Sequence, residues 1–229
     1  MSETDETDTI DAAVAAALAR ARRAVATPDA LAAYERTLEQ ARDIEARAAR
    51  NRRRKLLLDA GVPLTDAMST ALVDGTLAST RALQVTSGWL GGPRSVLVLL
   101  GTPGTGKTVA AAHAALTRIS RGPLVYVRES ALARWSMFAR YDREWAAAVS
   151  CATLIVDELG TAGARDLDAA RQALLRITDD RMGRGRRTVL VGNLTPDDLG
   201  RRYDERLLDR LREIGFLSEV KGPSMRGPR

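Results

Sequence analysis

The sequence feature that most constrains the fold is the run GTPGTGKT, which occupies residues 101–108. It follows an apolar run at 95–100 and precedes an alanine-rich stretch with helical character. The pattern G-x-x-x-x-G-K-[ST] between a strand and a helix predicts a phosphate-binding loop, because its glycines let successive backbone N–H groups point at one phosphate. The helix N-terminus adds its partial positive charge. The expected phosphate-binding residues are Gly101, Thr102, Pro103, Gly104, Thr105, Gly106, Lys107 and Thr108.

Two carboxylates supply the second part of the expected site. In a phosphate-binding loop the lysine reaches the β- and γ-phosphates and the next hydroxyl binds Mg²⁺, roles that fall here to Lys107 and Thr108. Asp157 and Glu158 end a second apolar run at 153–156. We expect Asp157 to hold Mg²⁺ through water and Glu158 to polarise the attacking water as a general base. Carboxylates also end strands for structural reasons, but this position after a phosphate loop favours hydrolysis.

A third polar side chain follows another buried strand. Asn193 comes directly after the run 188–192. At the end of a strand beside the first two, its amide would lie near the γ-phosphate and orient the same water as Glu158. The alternative is an Asx turn before Thr195-Pro196. We favour the first interpretation because the other motifs accompany it.

A basic helix is predicted at residues 201–212, RRYDERLLDRLR. Arg206 and Arg210 are four residues apart and share one face. An arginine presented to the nucleotide of a neighbouring subunit would stabilise transition-state charge, and Arg210 is the first choice for this role. The alternative is a solvated face with local ion pairs to acidic residues of the same helix. Arg226 is one more arginine within reach of the nucleotide.

Short apolar runs separated by helical stretches predict the fold class. They lie at 95–100, 124–127, 153–156, 188–191 and 216–220. Strands without in/out alternation are buried on both faces, which indicates a parallel sheet covered by helices. We therefore expect residues 94–229 to form an α/β sandwich with a five-stranded parallel sheet. Because few residues follow the last strand, we expect no separate C-terminal lid.

Residues 1–60 contain no glycine and predict a helical N-terminal region. Apolar side chains recur at helical steps at Ile10, Val14, Leu18, Ala21 and Val25. Thr27-Pro28 reads as an N-cap and the first position of a second helix. Such a helical hairpin would dock on a partner or serve as a solvated spacer. The basic run 50–55 at its end suits either a helix C-terminus or phosphate contacts.

Residues 61–93 read as a helical linker between this region and the sheet. The helix breaks at Gly61-Val62-Pro63. Short helices are expected at 65–73 and 76–88. The expected domains are therefore 1–60, 61–93 and 94–229.

Composition excludes several classes of protein. Cys151 is the only cysteine and His113 the only histidine, so a disulfide framework and a cysteine-based zinc cluster are both excluded. A lone cysteine fits a reducing compartment, and we expect a cytoplasmic protein. No run in the sequence approaches the roughly 20 apolar residues needed to span a bilayer. The acidic start MSETDETDTID is unlike a signal peptide. The net charge of +6 favours a polyanionic partner.

One segment combines aromatic and basic side chains. Five of the nine aromatics lie at 126–145, namely Tyr126, Trp135, Phe138, Tyr141 and Trp145, and they alternate with Arg128, Arg134, Arg140 and Arg143. Aromatics stack on bases and arginines neutralise phosphates, which is the chemistry of single-strand binding. The alternative is that the aromatics are buried against the sheet. We expect the aromatics in the core and the arginines exposed.

With these motifs in order, residues 62–226 resemble the DnaC/IstB group of AAA+ ATPases. The likeness rests on LIVDELG at 154–160, RITDDRMGRGRRTVLVGNLT at 176–195, DERLLDRLREIGF at 204–216 and KGPSMR at 221–226. The resemblance implies a Walker A loop with Lys107 and Thr108, a Walker B pair at Asp157 and Glu158, and Asn193 as sensor 1. It also implies Arg210 as the arginine finger and Arg226 as sensor 2. The family's usual Ser-Tyr-Arg reads Ser-Met-Arg here.

The resemblance implies an Mg-ATPase that self-associates with nucleotide bound and loads a replicative DNA helicase onto single-stranded DNA. Residues 1–60 would then grip the helicase, and Arg128, Arg134, Arg140 and Arg143 would contact the DNA. One alternative is an IstB-type transposition helper that binds duplex DNA and recruits a transposase. Another is a nucleotide-gated adaptor with little turnover.

Overall fold

The structure, a computed structural model, describes residue 16 and residues 28–225. Its centre is a five-stranded parallel sheet in the order β2-β3-β4-β1-β5, which confirms the predicted fold class. The strands are β1 (Val96–Leu100), β2 (Leu124–Arg128), β3 (Thr153–Leu159), β4 (Arg187–Gly192) and β5 (Gly215–Glu219).

Helices precede the sheet and connect its strands. They are α1 (Pro28–Asp59), α2 (Asp66–Val73), α3 (Arg81–Leu90), α4 (Lys107–Thr117), α5 (Glu129–Met137), α6 (Asp142–Ser150), α7 (Leu167–Met182), α8 (Pro196–Arg202) and α9 (Glu205–Ile214). Two 3₁₀ turns lie at Ile119–Arg121 and Ala139–Tyr141. Among the described residues, no helix has both the length and the apolar character needed to cross a membrane.

The sheet forms the middle layer of a sandwich because its strands are apolar on both faces. All five residues of β1 are buried. Successive side chains of a strand point to opposite faces, so Val96, Val98 and Leu100 join the core beneath α5, α6, α7 and α9. Leu97 and Leu99 join the other core, beneath α3 and α4. The continuous apolar run at 95–100 is thus explained by burial on two sides.

The parallel arrangement brings the predicted motifs to one edge. The strands β1, β3 and β4 all end at the same side of the sheet, and β4 lies between the other two. The phosphate loop follows β1, the two carboxylates lie near the end of β3, and Asn193 follows β4. Ligands of open α/β sheets bind at this carboxyl edge.

The N-terminal region forms a unit of its own. By compactness the chain divides between residues 1–53 and 54–229, and α1 runs through the division. The helix begins at Pro28, where Thr27-Pro28 predicted its start. The apolar stripe from Ile10 to Val25 lies outside the described residues, so the helical hairpin stays a prediction. Within the larger unit, Leu57 and Val62 are buried against Leu72 and Leu116.

One predicted helix begins later than expected. The sequence predicted a helix at 76–88, but α3 spans Arg81–Leu90. The Thr80 hydroxyl accepts a hydrogen bond from the backbone N–H of Leu83 at 3.1 Å, which makes Thr80 the N-cap. Gly75 has φ of +70° and turns the chain after α2. The cap and this turn leave residues 76–80 outside the helix.

The aromatic segment at 126–145 divides between core and surface. Trp145 is buried, and Trp135 packs partly buried against the same core. Phe138 is 44% exposed, and the Arg140 guanidinium lies 5.1 Å from its ring centre and 5.0 Å from that of Tyr141. The four arginines predicted to be exposed are exposed: Arg128, Arg134, Arg140 and Arg143.

A fully buried arginine joins the helical layer to the start of β4. Arg181 in α7 is 1% exposed. Its guanidinium donates to the carbonyls of Ala148 (2.5 Å), Cys151 (3.0 Å) and Arg187 (2.6 Å) and to the Thr188 hydroxyl (2.9 Å). These carbonyls lie at the end of α6 and in the turns into β3 and β4, so one side chain fixes three connections.

We expect Arg181→Met to lower the free energy of unfolding by about 3 kcal/mol, because buried carbonyls lose their donor. Urea denaturation measures the change. Arg184→Met is the matched control, since Arg184 is exposed two residues beyond the same helix. Equal stability of the two variants would contradict a structural role for Arg181.

Candidate functional site

The phosphate loop has the backbone shape that its glycines predict. Gly104 and Gly106 both have φ of +83°, which lies in the left-handed region that favours glycine. Gly106 is the N-cap of α4, so the helix begins at Lys107 with its free N–H groups facing the loop. A helix start next to a glycine-rich turn is a ready anion site.

Lys107 is held inside this loop. The side chain is buried, and its ammonium group donates to the carbonyls of Gly101 (2.9 Å) and Thr102 (2.7 Å) and to the Thr105 hydroxyl (3.3 Å). All three acceptors belong to the same eight-residue motif. The lysine is therefore fixed at the centre of the phosphate loop by the loop's own oxygens.

A hydrogen bond joins the two predicted motifs. The Thr108 hydroxyl donates to Asp157 Oδ2 at 2.9 Å, across 49 residues of sequence. The Tyr126 hydroxyl donates to the same oxygen at 3.2 Å. Burial, together with the charge of Asp157 and this hydrogen bond, raises the pKa of Tyr126 well above its ordinary value, so the phenol stays a donor. This role of Tyr126 was not predicted from the sequence, where Tyr126 belongs to the aromatic segment at 126–145.

Glu158 lies at a bulge in β3. Val156 pairs with Leu190 and Leu159 pairs with Gly192, so two residues of β3 oppose one of β4. Glu158 has φ of +60°, and it is the one non-glycine with positive φ among the described residues. Such a conformation costs about 1–3 kcal/mol and is typical of functional sites. The bulge turns the Glu158 side chain away from the regular alternation of the strand.

Local hydrogen bonds hold the bulge in place. The backbone N–H of Glu158 donates to Asp157 Oδ1 at 2.7 Å. Its carbonyl accepts from the Thr161 N–H at 3.2 Å and from the Thr161 hydroxyl at 2.8 Å. Arg128, at the end of β2, places its Nε 3.4 Å from Glu158 Oε1. Arg128 was predicted to contact DNA, and the structure places it beside the expected general base.

A cavity of about 600 Å³ opens over these residues. Its polar side is lined by Lys107, Thr108, Asp157, Glu158 and Asn193, so the structure brings these predicted residues together. Its apolar side is lined by Pro63, Leu64, Met68, Leu77 and Leu83. From the sequence, residues 61–93 were predicted only as a helical linker. The apolar residues that follow the helix break at Gly61-Val62-Pro63 were the sequence signal that could have predicted a second wall of this cavity.

The chain near its C-terminal end crosses the phosphate loop. The backbone N–H of Met225 donates to the Gly104 carbonyl at 2.9 Å, and Met225 lines the cavity. A Cβ atom added at Gly104 would lie 2.1 Å from the Ser224 hydroxyl, so only glycine allows this close approach. Arg226, the predicted sensor 2 residue, lies outside the described residues.

A buried carboxylate anchors the loop that follows Glu158. Glu129, the first residue of α5, is fully buried. Its Oε2 accepts from the N–H groups of Gly160 (3.0 Å) and Ala162 (3.1 Å), and its Oε1 accepts from the Tyr203 hydroxyl. Burial and the charge of Glu129 raise the pKa of Tyr203, which keeps the phenol protonated. Neither Glu129 nor Tyr203 belongs to a recognisable motif, so neither was predicted from the sequence.

The two candidate finger arginines lie on α9 and do not line the cavity. Arg210 forms ion pairs with Asp179 in α7 (3.1 Å) and with Glu213 (2.9 Å). Arg206 is exposed and has no ion-pair partner among residues 28–225. The finger role of either arginine stays a prediction, because a neighbouring subunit would have to supply the nucleotide.

Comparison with known families decides the classification of this site. A family model described as IstB-like ATP binding protein matches residues 12–228. The chain belongs to this family. The match covers the phosphate loop, both carboxylates and nearly all of the N-terminal region. It establishes an ATP-binding protein of the AAA+ type and confirms the resemblance found in the sequence. No match was found among the curated proteins.

Solved structures support the same fold. DnaI is 20% identical with a TM-score of 0.52, and the match covers 64% of this chain and 83% of DnaI. The DnaC helicase loader is 18% identical with a TM-score of 0.55, covering 69% of this chain and 100% of that one. A DnaA structure with AMPPCP and single-stranded DNA is 18% identical with a TM-score of 0.54, covering 66% of this chain and 50% of DnaA. At these identities the likeness is one of fold.

For this IstB-like protein we expect Tyr203→Phe to lower the free energy of unfolding by about 1–3 kcal/mol, since a buried carboxylate oxygen loses its donor. We also expect slower ATP hydrolysis with little change in nucleotide affinity, because the loop after Glu158 loses an anchor. Denaturation, steady-state hydrolysis and nucleotide titration measure these effects. Tyr141→Phe is the control, and matching behaviour of the two variants would contradict the anchoring role.

Proposed function

We propose that this chain is an Mg²⁺-dependent ATPase that uses ATP hydrolysis to place a protein partner on DNA. The observation that carries the proposal is the Thr108–Asp157 hydrogen bond at 2.9 Å, which joins the phosphate loop to the strand that bears Glu158. Lys107, these two residues and Glu158 line one cavity. An apolar wall faces them across this cavity and offers a surface for the adenine base.

The donor set at the cavity fits Mg²⁺. Magnesium prefers oxygen ligands, keeps several waters and is bound by one or two protein groups plus substrate phosphates. The Thr108 hydroxyl and the Asp157 carboxylate are the two oxygens that would hold it. When bound, the ion would neutralise charge on the phosphates.

Glu158 is the residue that we propose as general base. Its carboxylate would accept the proton of the water that attacks the γ-phosphorus, while the bond to the β-phosphate oxygen breaks. The bulge aims this carboxylate, and Arg128 lies 3.4 Å from it. Asn193 lines the same cavity and would orient the water.

We expect Glu158→Gln to reduce hydrolysis about 100-fold or more while ATP binding persists, because the amide cannot accept the proton. Phosphate release and titration with a fluorescent ATP analogue measure the two properties. Glu144→Gln, on the exposed face of α6, is the control. A Glu158→Gln variant with the wild-type hydrolysis rate would instead favour the nucleotide-gated adaptor with little turnover.

Self-association with nucleotide bound completes the proposed cycle. Arg210 is paired with Asp179 and Glu213 in the single chain, so it would exchange these partners for the γ-phosphate of a neighbouring subunit. Because this exchange needs a neighbouring subunit, the contribution of Arg210 to hydrolysis would depend on assembly. Arg206, on the same helix, is the second candidate.

We expect Arg210→Ala to reduce hydrolysis about 10³-fold without preventing ATP binding. Mixing this variant with Lys107→Ala should restore part of the rate, because an intact nucleotide site then meets an intact arginine on another subunit. Arg206→Ala is the matched control on α9. Wild-type hydrolysis by Arg210→Ala, or loss in Arg206→Ala alone, would assign the finger elsewhere.

Helicase loading on single-stranded DNA is the first candidate for the partner function. A surface cluster of the exposed Phe138 and Arg140 with the half-buried Tyr141 combines aromatic rings with a guanidinium, which suits unpaired bases and phosphates. Arg134 and Arg143 flank it on α5 and α6. A fold match to the full length of a helicase loader supports the same assignment. Residues 1–60 would supply the helicase contact.

Transposition is the second candidate, and one observation favours it. The IstB-like family model matches residues 12–228 and so includes nearly all of the N-terminal region, whereas the DnaC match covers 69% of this chain. Such a helper would bind duplex DNA and recruit a transposase.

Native mass spectrometry of Glu158→Gln, captured from its own cells with Mg-ATP, distinguishes the two candidates. This variant is expected to retain ATP and so to hold its assembly together. Recovery of a hexameric replicative helicase with bound copies of this chain supports loading. Recovery of a transposase contradicts loading and supports the helper role, with the ATPase assignment unchanged.

A further inference from the structure

Four arginines lie at the amino edge of the sheet, opposite the nucleotide cavity. Arg118 and Arg121 follow α4, and Arg186 and Arg187 lead into β4. We call these four residues the amino-edge arginine cluster. None of them is among the predicted nucleotide-site residues, and none lines the cavity over the phosphate loop.

Backbone contacts bring the four residues to one place. The N–H of Arg187 donates to the Ala152 carbonyl, and the N–H of Ala152 donates to the Pro123 carbonyl at 2.9 Å. Pro123 is two residues beyond Arg121, whose own N–H donates to the Arg118 carbonyl at 2.9 Å. The start of β4 and the end of the α4 connection are therefore neighbours through the turn before β3.

The cluster has no acidic counterpart among residues 28–225. The described ion pairs involve other arginines, and none includes any of these four. Arg187 donates to the carbonyls of Gly92 and Arg94 and stacks on Trp89, with 4.8 Å to the ring centre. The Nε atoms of Arg118 and Arg186 are buried without a hydrogen-bond partner.

The positive charges of Arg118, Arg121 and Arg187 repel one another in this arrangement. Burial, and then the charges of Arg187 and Arg121, lower the pKa of Arg118. Burial, and then the charge of Arg121, lower the pKa of Arg187. Folding thus gathers these cations with no carboxylate among residues 28–225 paired to any of them. A bound anion would supply the missing charge and the missing acceptors.

We propose that the amino-edge arginine cluster binds the phosphate backbone of duplex DNA. Guanidinium groups offer forked N–H donors that match phosphate oxygens, and backbone phosphates receive most protein–DNA hydrogen bonds. Arg187, held by two carbonyls and an indole ring, is positioned in advance. The site lies at the other edge of the sheet from the nucleotide, so its binding of DNA can be measured separately from ATP hydrolysis.

The surroundings of the cluster favour a duplex over other anionic partners. Single strands need exposed rings for base stacking, and Trp89, the ring in contact with Arg187, is buried. Membranes and protein partners need exposed apolar anchors. No large exposed apolar side chain belongs to the segments 118–121 and 186–187 that carry the four arginines; those of the described residues are Ile44, Leu56, Leu58, Met137, Phe138, Phe216, Leu217 and Met225.

The test is fluorescence anisotropy with a labelled DNA duplex, using the full chain and its Arg118→Ala/Arg121→Ala variant. Arg187 is kept because it also supports the fold. We expect the variant to bind the duplex about tenfold more weakly at ~100 mM salt. The slope of log K against log salt should fall by about 1.8, since two phosphate contacts are lost at about 0.9 each.

Two control variants make the result specific. Arg165→Ala/Arg201→Ala removes the same charge from other surfaces and should keep the wild-type duplex affinity and salt slope. Phe138→Ala/Arg140→Ala should weaken binding of oligothymidine and leave duplex binding intact. Unchanged ATP hydrolysis by Arg118→Ala/Arg121→Ala confirms that this variant is folded.

Three results would overturn the proposal. The first is unchanged duplex binding by Arg118→Ala/Arg121→Ala. The second is an equal loss of duplex affinity in Arg165→Ala/Arg201→Ala, which would show that only the net charge of the protein matters. The third is tighter binding of the wild-type chain to phosphatidylserine vesicles than to the duplex, together with loss of this vesicle binding in Arg118→Ala/Arg121→Ala. That result would assign the arginines to a lipid surface. Failure of the ATPase predictions would leave this site untouched.

Discussion

The hydrogen bond between the Thr108 hydroxyl and Asp157 Oδ2 holds together the two halves of the nucleotide site. Its two residues belong to segments that follow β1 and end β3, and β4 lies between those strands. The bond can form because the strands are parallel, which brings the residues after β1 and at the end of β3 to the same edge of the sheet. The apolar residues that bury the sheet on both faces thereby fix the distance between a phosphate loop and its carboxylates.

Local sequence predicted the parts of the site whose chemistry is carried by a short motif. The phosphate loop, the carboxylates after the third strand and the five strands all follow from residue type and spacing. The bulge at Glu158 could not be predicted, because the mismatch depends on how β3 pairs with β4. The same holds for the Glu129–Tyr203 hydrogen bond, which joins residues 74 positions apart. The start of α3 at Arg81 was missed because the Thr80 cap outweighed the apolar pattern before it.

The carboxyl edge of the sheet carries the nucleotide cavity and the amino edge carries the arginine cluster, and α4 connects the two edges. This helix begins at Lys107 in the phosphate loop and ends at Thr117, next to Arg118 of the amino-edge arginine cluster. Its 11 residues span about 16 Å at 1.5 Å per residue. Alanines at its buried positions let it pack closely on the sheet. One rigid element thus ends in two basic groups with different environments, one enclosed by loop oxygens and one gathered with other cations.

The contacts of Lys107 make nucleotide binding an exchange of partners. The ammonium group is already satisfied by two carbonyls and a hydroxyl of its own loop. A phosphate that draws on this charge competes with those oxygens, so the affinity reflects a difference between two sets of hydrogen bonds and not the strength of one set. The lysine that attracts the ligand also shapes the loop that receives it. Occupancy in such a site responds to the concentration of nucleotide over a range set by that difference.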